Sequence, residues 1–212
     1  MWRQLSILLL SALWLQPAAA QATATPGPGP QELMQKAAQQ LLDALEADRE
    51  GIRKEPKRVN ALVDQILLPH FDSEYSAQLV LGTHWRAATA EQRKRFIDGF
   101  YHSLLNKYGA ALAGFTSDRM TILPFRGDLA TGRATVKTEV TLDDGTRVPV
   151  AYSMRATPQG WKAWDVTVEG ISYVKNFRVD IGAEVDQRGL DAVIARLEAE
   201  AGGDHVAAAA AR

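Results

Sequence analysis

The chain has 212 residues, 24 Lys and Arg against 25 Asp and Glu, 46% hydrophobic residues and no cysteine. A formal net charge of -1 gives no general attraction to nucleic acid or to anionic membrane. The missing cysteine removes disulfide scaffolds, zinc fingers, thiol nucleophiles and lipid attachment through sulfur.

Arg3 supplies a positive start, Leu5 to Leu15 form an apolar run, and Ala18-Ala19-Ala20 precede Gln21. This layout predicts a secretory signal peptide over 1–20, cleaved after Ala20. The run falls well short of the roughly 20 residues that a membrane span needs. With no cysteine to carry lipid, the expected product is exported and untethered. Residues 21–30, where Pro and Gly alternate from Pro26 to Pro30, read as a linker. Residues 31–200 read as one folded domain, and 201–212, opening on Ala201-Gly202-Gly203, as a disordered tail.

Within the domain, Leu33, Ala37, Leu41, Leu42 and Leu45 fall at helical spacing, predicting a helix over Gln31 to Glu50. A second is expected from Pro56 to Leu68, where Pro69 stops it, and a third from Phe71 to Leu81, closed by Gly82. Thr89 and Gln92 form a capping box that opens a long helix to about Leu112, with the stripe Phe96, Phe100, Leu104, Tyr108 and Leu112. The period then drops to two. Strands are expected around Met120 to Ile122, Ala134 to Leu142, Arg147 to Arg155 and Trp161 to Val168, with Asp143-Asp144-Gly145 and Thr157 to Gly160 as turns. On the last strand, Trp164, Val166 and Val168 alternate with Asp165 and Thr167 and are expected to share a face. Ser172 is a candidate N-cap for a helix carrying Val174, Phe177, Ile181 and Val185, and Gly189 precedes a final helix with Leu190, Val193, Ile194 and Leu197. Consecutive antiparallel strands with one apolar face need helices to cover it, which predicts an α+β fold with about four strands.

Catalytic signatures are sparse. His70, His84, His102 and His205 lie far apart and form no metal-ligand spacing, so no metal is expected. There is no nucleophile elbow and no phosphate-binding glycine loop. Asp165, beside Trp164, is the one acid that a pocket could turn into a general base; the plainer alternative is a solvated or ion-paired carboxylate. The basic runs Arg53-Lys54 with Lys57-Arg58, and Arg93-Lys94-Arg95, suit solvated helix faces or docking to an acidic partner or lipid headgroups. Apolar supply is the more distinctive feature. Val136, Val140, Val148, Val150, Tyr152, Met154, Trp164 and Val166 line the expected inner sheet face opposite the long-helix stripe. Such walls fit either a filled core or a cavity for an apolar ligand, and periodicity does not separate the two.

Several segments resemble one family. They are Leu79-Val80-Leu81-Gly82 with Trp85; Thr89 to Arg93 with Phe96 and Phe100; and Val148-Pro149-Val150 with Tyr152. Gly160 to Val166, Val168 to Ser172, and Gly189-Leu190-Asp191 with Ile194 and Leu197 continue the series in order. In these the chain resembles the MlaC, or toluene-tolerance auxiliary, family across most of Gln31 to Leu197. The resemblance implies a curved sheet wrapped by helices around an apolar cavity, of nuclear-transport-factor-like or cystatin-like type. It implies a periplasmic phospholipid carrier, not an enzyme, without a cofactor beyond its lipid cargo, and monomeric. Implied partners are an outer-membrane lipoprotein–porin complex and an inner-membrane ABC transporter with an MCE-domain protein. On that basis the expected lipid-binding residues are Leu81, Trp85, Phe96, Phe100, Leu104, Tyr108, Val136, Val140, Val148, Val150, Tyr152, Met154, Trp164, Val166 and Phe177. The alternatives are a small-molecule enzyme of the same fold using Asp165 as base, or an envelope adaptor.

Overall fold

The computed structural model describes residues 27–114, 116 and 119–202. The expected signal peptide over 1–20, the first part of the linker, and residues 203–212 of the expected tail, with His205, lie outside these residues. Pro30, the last residue of the expected linker, is the first of helix α1, and Ala201 is the last of α8.

The helices among the described residues are α1 Pro30–Ala47, α2 Arg49–Lys54, α3 Arg58–Ile66, α4 Ser73–Leu81, α5 His84–Ala87, α6 Ala90–Tyr108, α7 Tyr173–Arg188 and α8 Leu190–Ala201. The strands are β1 Met120–Ile122, β2 Arg133–Thr141, β3 Arg147–Thr157, β4 Gly160–Val168 and β5 Ile171–Ser172, all antiparallel in the order β1-β2-β3-β4-β5. The α+β class follows from the pattern, with a short fifth strand that the sequence does not announce. Glu169 and Gly170 both take positive φ, 50° and 83°, giving the tight turn whose twist suits a two-residue hairpin, so β4 folds directly back into β5.

Local chemistry accounts for most element ends. Asp72 caps α4 by accepting the Tyr75 N–H, and Thr89 and Gln92 close the capping box of α6. Two long expected helices are interrupted. The first breaks at Asp48, whose φ of -125° leaves the helical region and whose carboxylate pairs with Arg58 at 3.0 Å across the corner. The second begins at Arg58 rather than Pro56 and tightens into a 3-10 turn over Leu68–His70, because Pro69 has no N–H to continue an α-helix. Helix α6 ends at Tyr108, four residues before the expected Leu112, and the chain continues as a 3-10 turn from Gly109.

Beyond the hairpins, β4 carries a bulge. Ser153 pairs with Asp165 but Met154 pairs with Ala163, so Trp164 is an extra residue and the alternation changes phase. Trp164 therefore does not share a face with Val166 and Val168, contrary to the simple alternation. The outer edge of β4 is taken up by α4 and α7: Asp72 N–H donates to Ala163 C=O at 2.7 Å, Ser76 Oγ donates to Trp164 C=O, and Val174 N–H donates to Asp165.

Apolar side chains gather in three clusters. One joins α4 to α8 around Leu81, Phe96, Ile181 and Ile194. A second joins Leu33 of α1 to Ala134, Val136, Met154, Trp161 and Ala163 on the sheet. The third packs α1, α2 and α3 against Leu105 of α6. A filled domain usually has one contiguous core. The division here separates the sheet from the α4–α8 layer.

At Gly99 helices α6 and α8 approach closely: a Cβ there would stand 3.3 Å from both Leu197 Cβ and the Glu198 nitrogen. Gly99→Val should therefore lower unfolding stability by about 1–3 kcal/mol, and Gly99→Ala by less, read from urea midpoints.

Candidate functional site

Cross-strand register places Ala134, Val136, Thr138 and Val140 of β2 beside Met154, Tyr152, Val150 and Val148 of β3, and Val166 and Val168 of β4 continue the rows. Coverage of this face is uneven. Ala134, Val136, Met154 and Ala163 are buried beneath Leu33 and Met34 of α1, with Phe71 and Phe125 alongside. Val140, Val148, Tyr152, Val166 and Val168 stay half-buried. Tyr152 lies at the transition on the central strand. Burial raises its phenol above the ordinary tyrosine value, and its side chain packs against the Val136–Met154 cluster.

The half-covered end of the face opens at α6 and α7. A concavity of about 320 Å³ there is lined by Tyr108, Val168, Ile171, Tyr173 and Phe177, with Lys107, Glu169, Asn176 and Asp180 also in its wall. Aromatic rings lead inward from it: Tyr108 to Tyr173 at 6.2 Å, Tyr173 to Phe177 at 5.9 Å, Phe177 to Phe100 at 5.2 Å and Phe100 to Phe96 at 5.5 Å. Edge-to-face and offset contacts of this kind give a firm apolar wall. The wall is held by α7, whose start is fixed by Asp165. That carboxylate, 4% exposed, accepts from Ser172 Oγ at 2.6 Å and from Val174 N–H at 3.0 Å. Both oxygens are thus engaged in bonding the chain to itself, neither the solvated nor the ion-paired state expected as the plain alternative to a base.

The expected lipid-binding residues divide into groups. Val136, Val140, Val148, Val150, Tyr152, Met154 and Val166 share the sheet face, with Val136, Val150 and Met154 buried and the other four half-buried. Leu81 and Phe96, 1% and 0% exposed, fill the α4–α8 core with Trp85 and Phe100, while Leu104 and Phe177 stand at its margin. Tyr108, 43% exposed, is at the opening. Trp164 departs: the bulge carries it off the sheet face with Val166, and its ring meets Tyr75 of α4 edge-on at 5.6 Å. Tyr173, Val168 and Ile171 join the opening although they were absent from the expected set. Val168 was visible as an alternating apolar position. Tyr173 had no signal, because its place depends on the turn between β4 and β5. Among the described residues no group of three or more His, Asp or Glu side chains could hold a metal ion.

Comparison with known proteins adds three findings. A family model described as MlaC protein matches residues 35–199. The toluene tolerance protein ttg2D of Pseudomonas putida is 30% identical over 186 residues, covering 87% of this chain and 83% of that protein. The intermembrane phospholipid transport system binding protein MlaC of Haemophilus influenzae is 24% identical over 182 residues, covering 84% and 85%. In fold, the chain is similar to a phospholipid-binding protein from Ralstonia solanacearum solved with a phospholipid, at a TM-score of 0.76 and 24% identity, covering 83% of this chain and 98% of that one.

Two outcomes follow from the geometry. Asp165→Ala leaves the buried Val174 N–H without its acceptor and should cost about 1–3 kcal/mol, measured by urea unfolding. The Tyr152 phenol has a folded pKa above its unfolded value, so its contribution to stability is full below the unfolded value and is lost as pH rises through the folded one. Urea midpoints from about pH 8 to about pH 11 should fall less steeply in Tyr152→Phe than in the parent.

Proposed function

This chain belongs to the MlaC family, and from that premise we propose that it is a soluble periplasmic phospholipid carrier. Its acyl chains would lie in the hollow between the half-covered sheet face and the wall of α6 and α7, with the headgroup at the opening beside Lys107. The observation that carries this reading is the concavity of about 320 Å³ lined by Tyr108, Val168, Ile171, Tyr173 and Phe177, beside the half-buried Val166 and Val168 of the sheet.

The energetics suit the task. Each buried CH₂ is worth about 0.8 kcal/mol, so a sixteen-carbon chain exposed to water costs on the order of 13 kcal/mol. A shallow surface groove leaves much of that cost in place, whereas an enclosed apolar space removes most of it. Because the chains pass from one apolar medium to another, transfer is nearly balanced and direction can be set by partners. The proposed partners are an outer-membrane lipoprotein–porin complex and an inner-membrane ABC transporter carrying an MCE-domain protein. The names of the Haemophilus and Ralstonia relatives, for transport and binding of phospholipid, support the choice of cargo. Among the described residues no helix is long and apolar enough to cross a membrane, which is consistent with a protein that moves between membranes. The chemistry is binding and release, for which the hydrogen-bonded Asp165 serves as a structural anchor.

The test is native purification followed by extraction and mass spectrometry, which should find co-purifying phospholipid. Val150→Arg places a cation on the central strand of the hollow and should remove that lipid while circular dichroism stays unchanged. Absence of lipid from the parent protein sinks the carrier reading; equal lipid in Val150→Arg displaces the hollow from this face.

A further inference from the structure

Most cations of the basic runs that stand out in the sequence are engaged locally. Arg58 pairs with Asp48 at 3.0 Å, Lys94 with Asp98 at 2.9 Å and Arg95 with Glu198 at 2.7 Å, while Arg93 donates to Trp85 C=O and lies over its ring. A second group of cations clusters on the face of the sheet opposite its valines. Register sets Arg133 directly opposite Arg155, and Arg155 directly opposite Lys162. Like charges facing each other across strands are destabilising. Only Arg155 has an acid to offset this, bonding Asp72 at 2.6 Å and stacking over Tyr75. Arg126, Arg133, Lys137 and Lys162 have no carboxylate partner among the described residues.

Three of these cations, Arg126, Arg133 and Lys137, line a groove of about 390 Å³ with Phe125 and Trp164 in its wall. Asp128 is the one acid there, and it already caps the Ala130 N–H at 2.8 Å. The bulge of β4 is what brings Trp164 to this side. On a chain whose net charge is -1, such a concentration is a local choice.

We propose that this groove is a docking site for an acidic, extended segment of a partner protein that brings several carboxylates and an apolar side chain. Charge complementarity identifies the partner class. Arg133 and Lys137 stand about 13 Å apart along β2, and Arg133 and Lys162 about 10 Å apart across two strand spacings. That spread suits several linked carboxylates better than one small anion. The concave wall formed by residues 125–131 suits a polypeptide better than a flat lipid surface, and Trp164 with Phe125 supplies the aromatic anchor typical of strong contacts. The inference rests on the carrier reading only in that a carrier must dock; lipid content, read in parallel, keeps the two separable.

The probe is a short fluorescein-labelled peptide alternating Asp and Leu, followed by fluorescence anisotropy with the purified protein. It should bind, weaken steeply with salt, and lose on the order of tenfold in affinity in Arg126→Glu/Arg133→Glu/Lys137→Glu, with co-purifying phospholipid unchanged. The milder Arg126→Gln/Lys137→Gln, which keeps a polar surface, should lose several-fold and guards against misfolding of the first variant. The proposal is overturned by a peptide that does not bind, by equal binding in both variants, or by a matching Lys–Leu peptide that binds as well. Displacement of the peptide by millimolar inorganic phosphate would make the groove a small-anion site. Loss of phosphatidylglycerol-vesicle binding in place of peptide binding would make it a membrane surface. Either result overturns the docking assignment.

Discussion

Asp165 sits where an uninterrupted strand would present a small or apolar residue to a helix layer, and its carboxylate could not remain buried without partners. It finds them in the next turn of chain: the Ser172 hydroxyl and the Val174 amide. Ser172 also caps α7 by accepting the Lys175 N–H, so one side chain links strand, cap and helix. Alternation with Val166 puts Asp165 opposite Ser153, off the valine face, and the bulge adds Trp164 as an extra residue before it. From this anchor, α7 runs so that Tyr173 and Phe177 reach Tyr108 and Phe100 of α6. The opening of the hollow is therefore built on a hydrogen-bonded carboxylate.

The division of the apolar core into three clusters has the same origin. Helix α1 covers only one end of the inner sheet face, through Leu33 and Met34, and α6 packs chiefly along α8. Val140, Val148, Val166 and Val168 keep partial exposure, whereas Val136 and Val150 are buried. Leaving such surface uncovered forgoes dispersion and burial that close packing would supply. The helical clusters on either side are correspondingly dense, with Val59, Val80, Phe96, Val193 and Ile194 fully buried. A firm frame beside a half-covered face suits the proposed apolar cargo.

The two faces of the sheet carry opposite chemistry. One is aliphatic and half-enclosed, the other carries Arg133, Lys137, Arg155 and Lys162 toward solvent. Net charge near zero conceals this, because many helix ions pair along or between helices while Arg133, Lys137 and Lys162 have no carboxylate partner among the described residues. A cation in an i,i+4 pair is invisible at a distance; a row of cations across strands adds its fields.

Features that depend on neighbours in sequence were legible without coordinates. The Thr89–Gln92 box, the Ser172 cap, the Asp143-Asp144-Gly145 hairpin and the period-two runs all appear where their local chemistry predicts. The inner-face identity of Val136, Val140, Val148, Val150 and Tyr152 followed from alternation alone, since no bulge interrupts β2 or that part of β3. Trp164 was misplaced because a change of register belongs to the pairing of β3 with β4, and a strand read alone has no register. Leu81, Phe96 and Val140 look alike as apolar positions. Which of them is packed solid and which is left facing space is decided by where α1, α7 and α8 come to rest. That outcome is a balance of long-range contacts, so hydrophobic pattern determines which residues turn inward, and only the tertiary arrangement determines what they meet there.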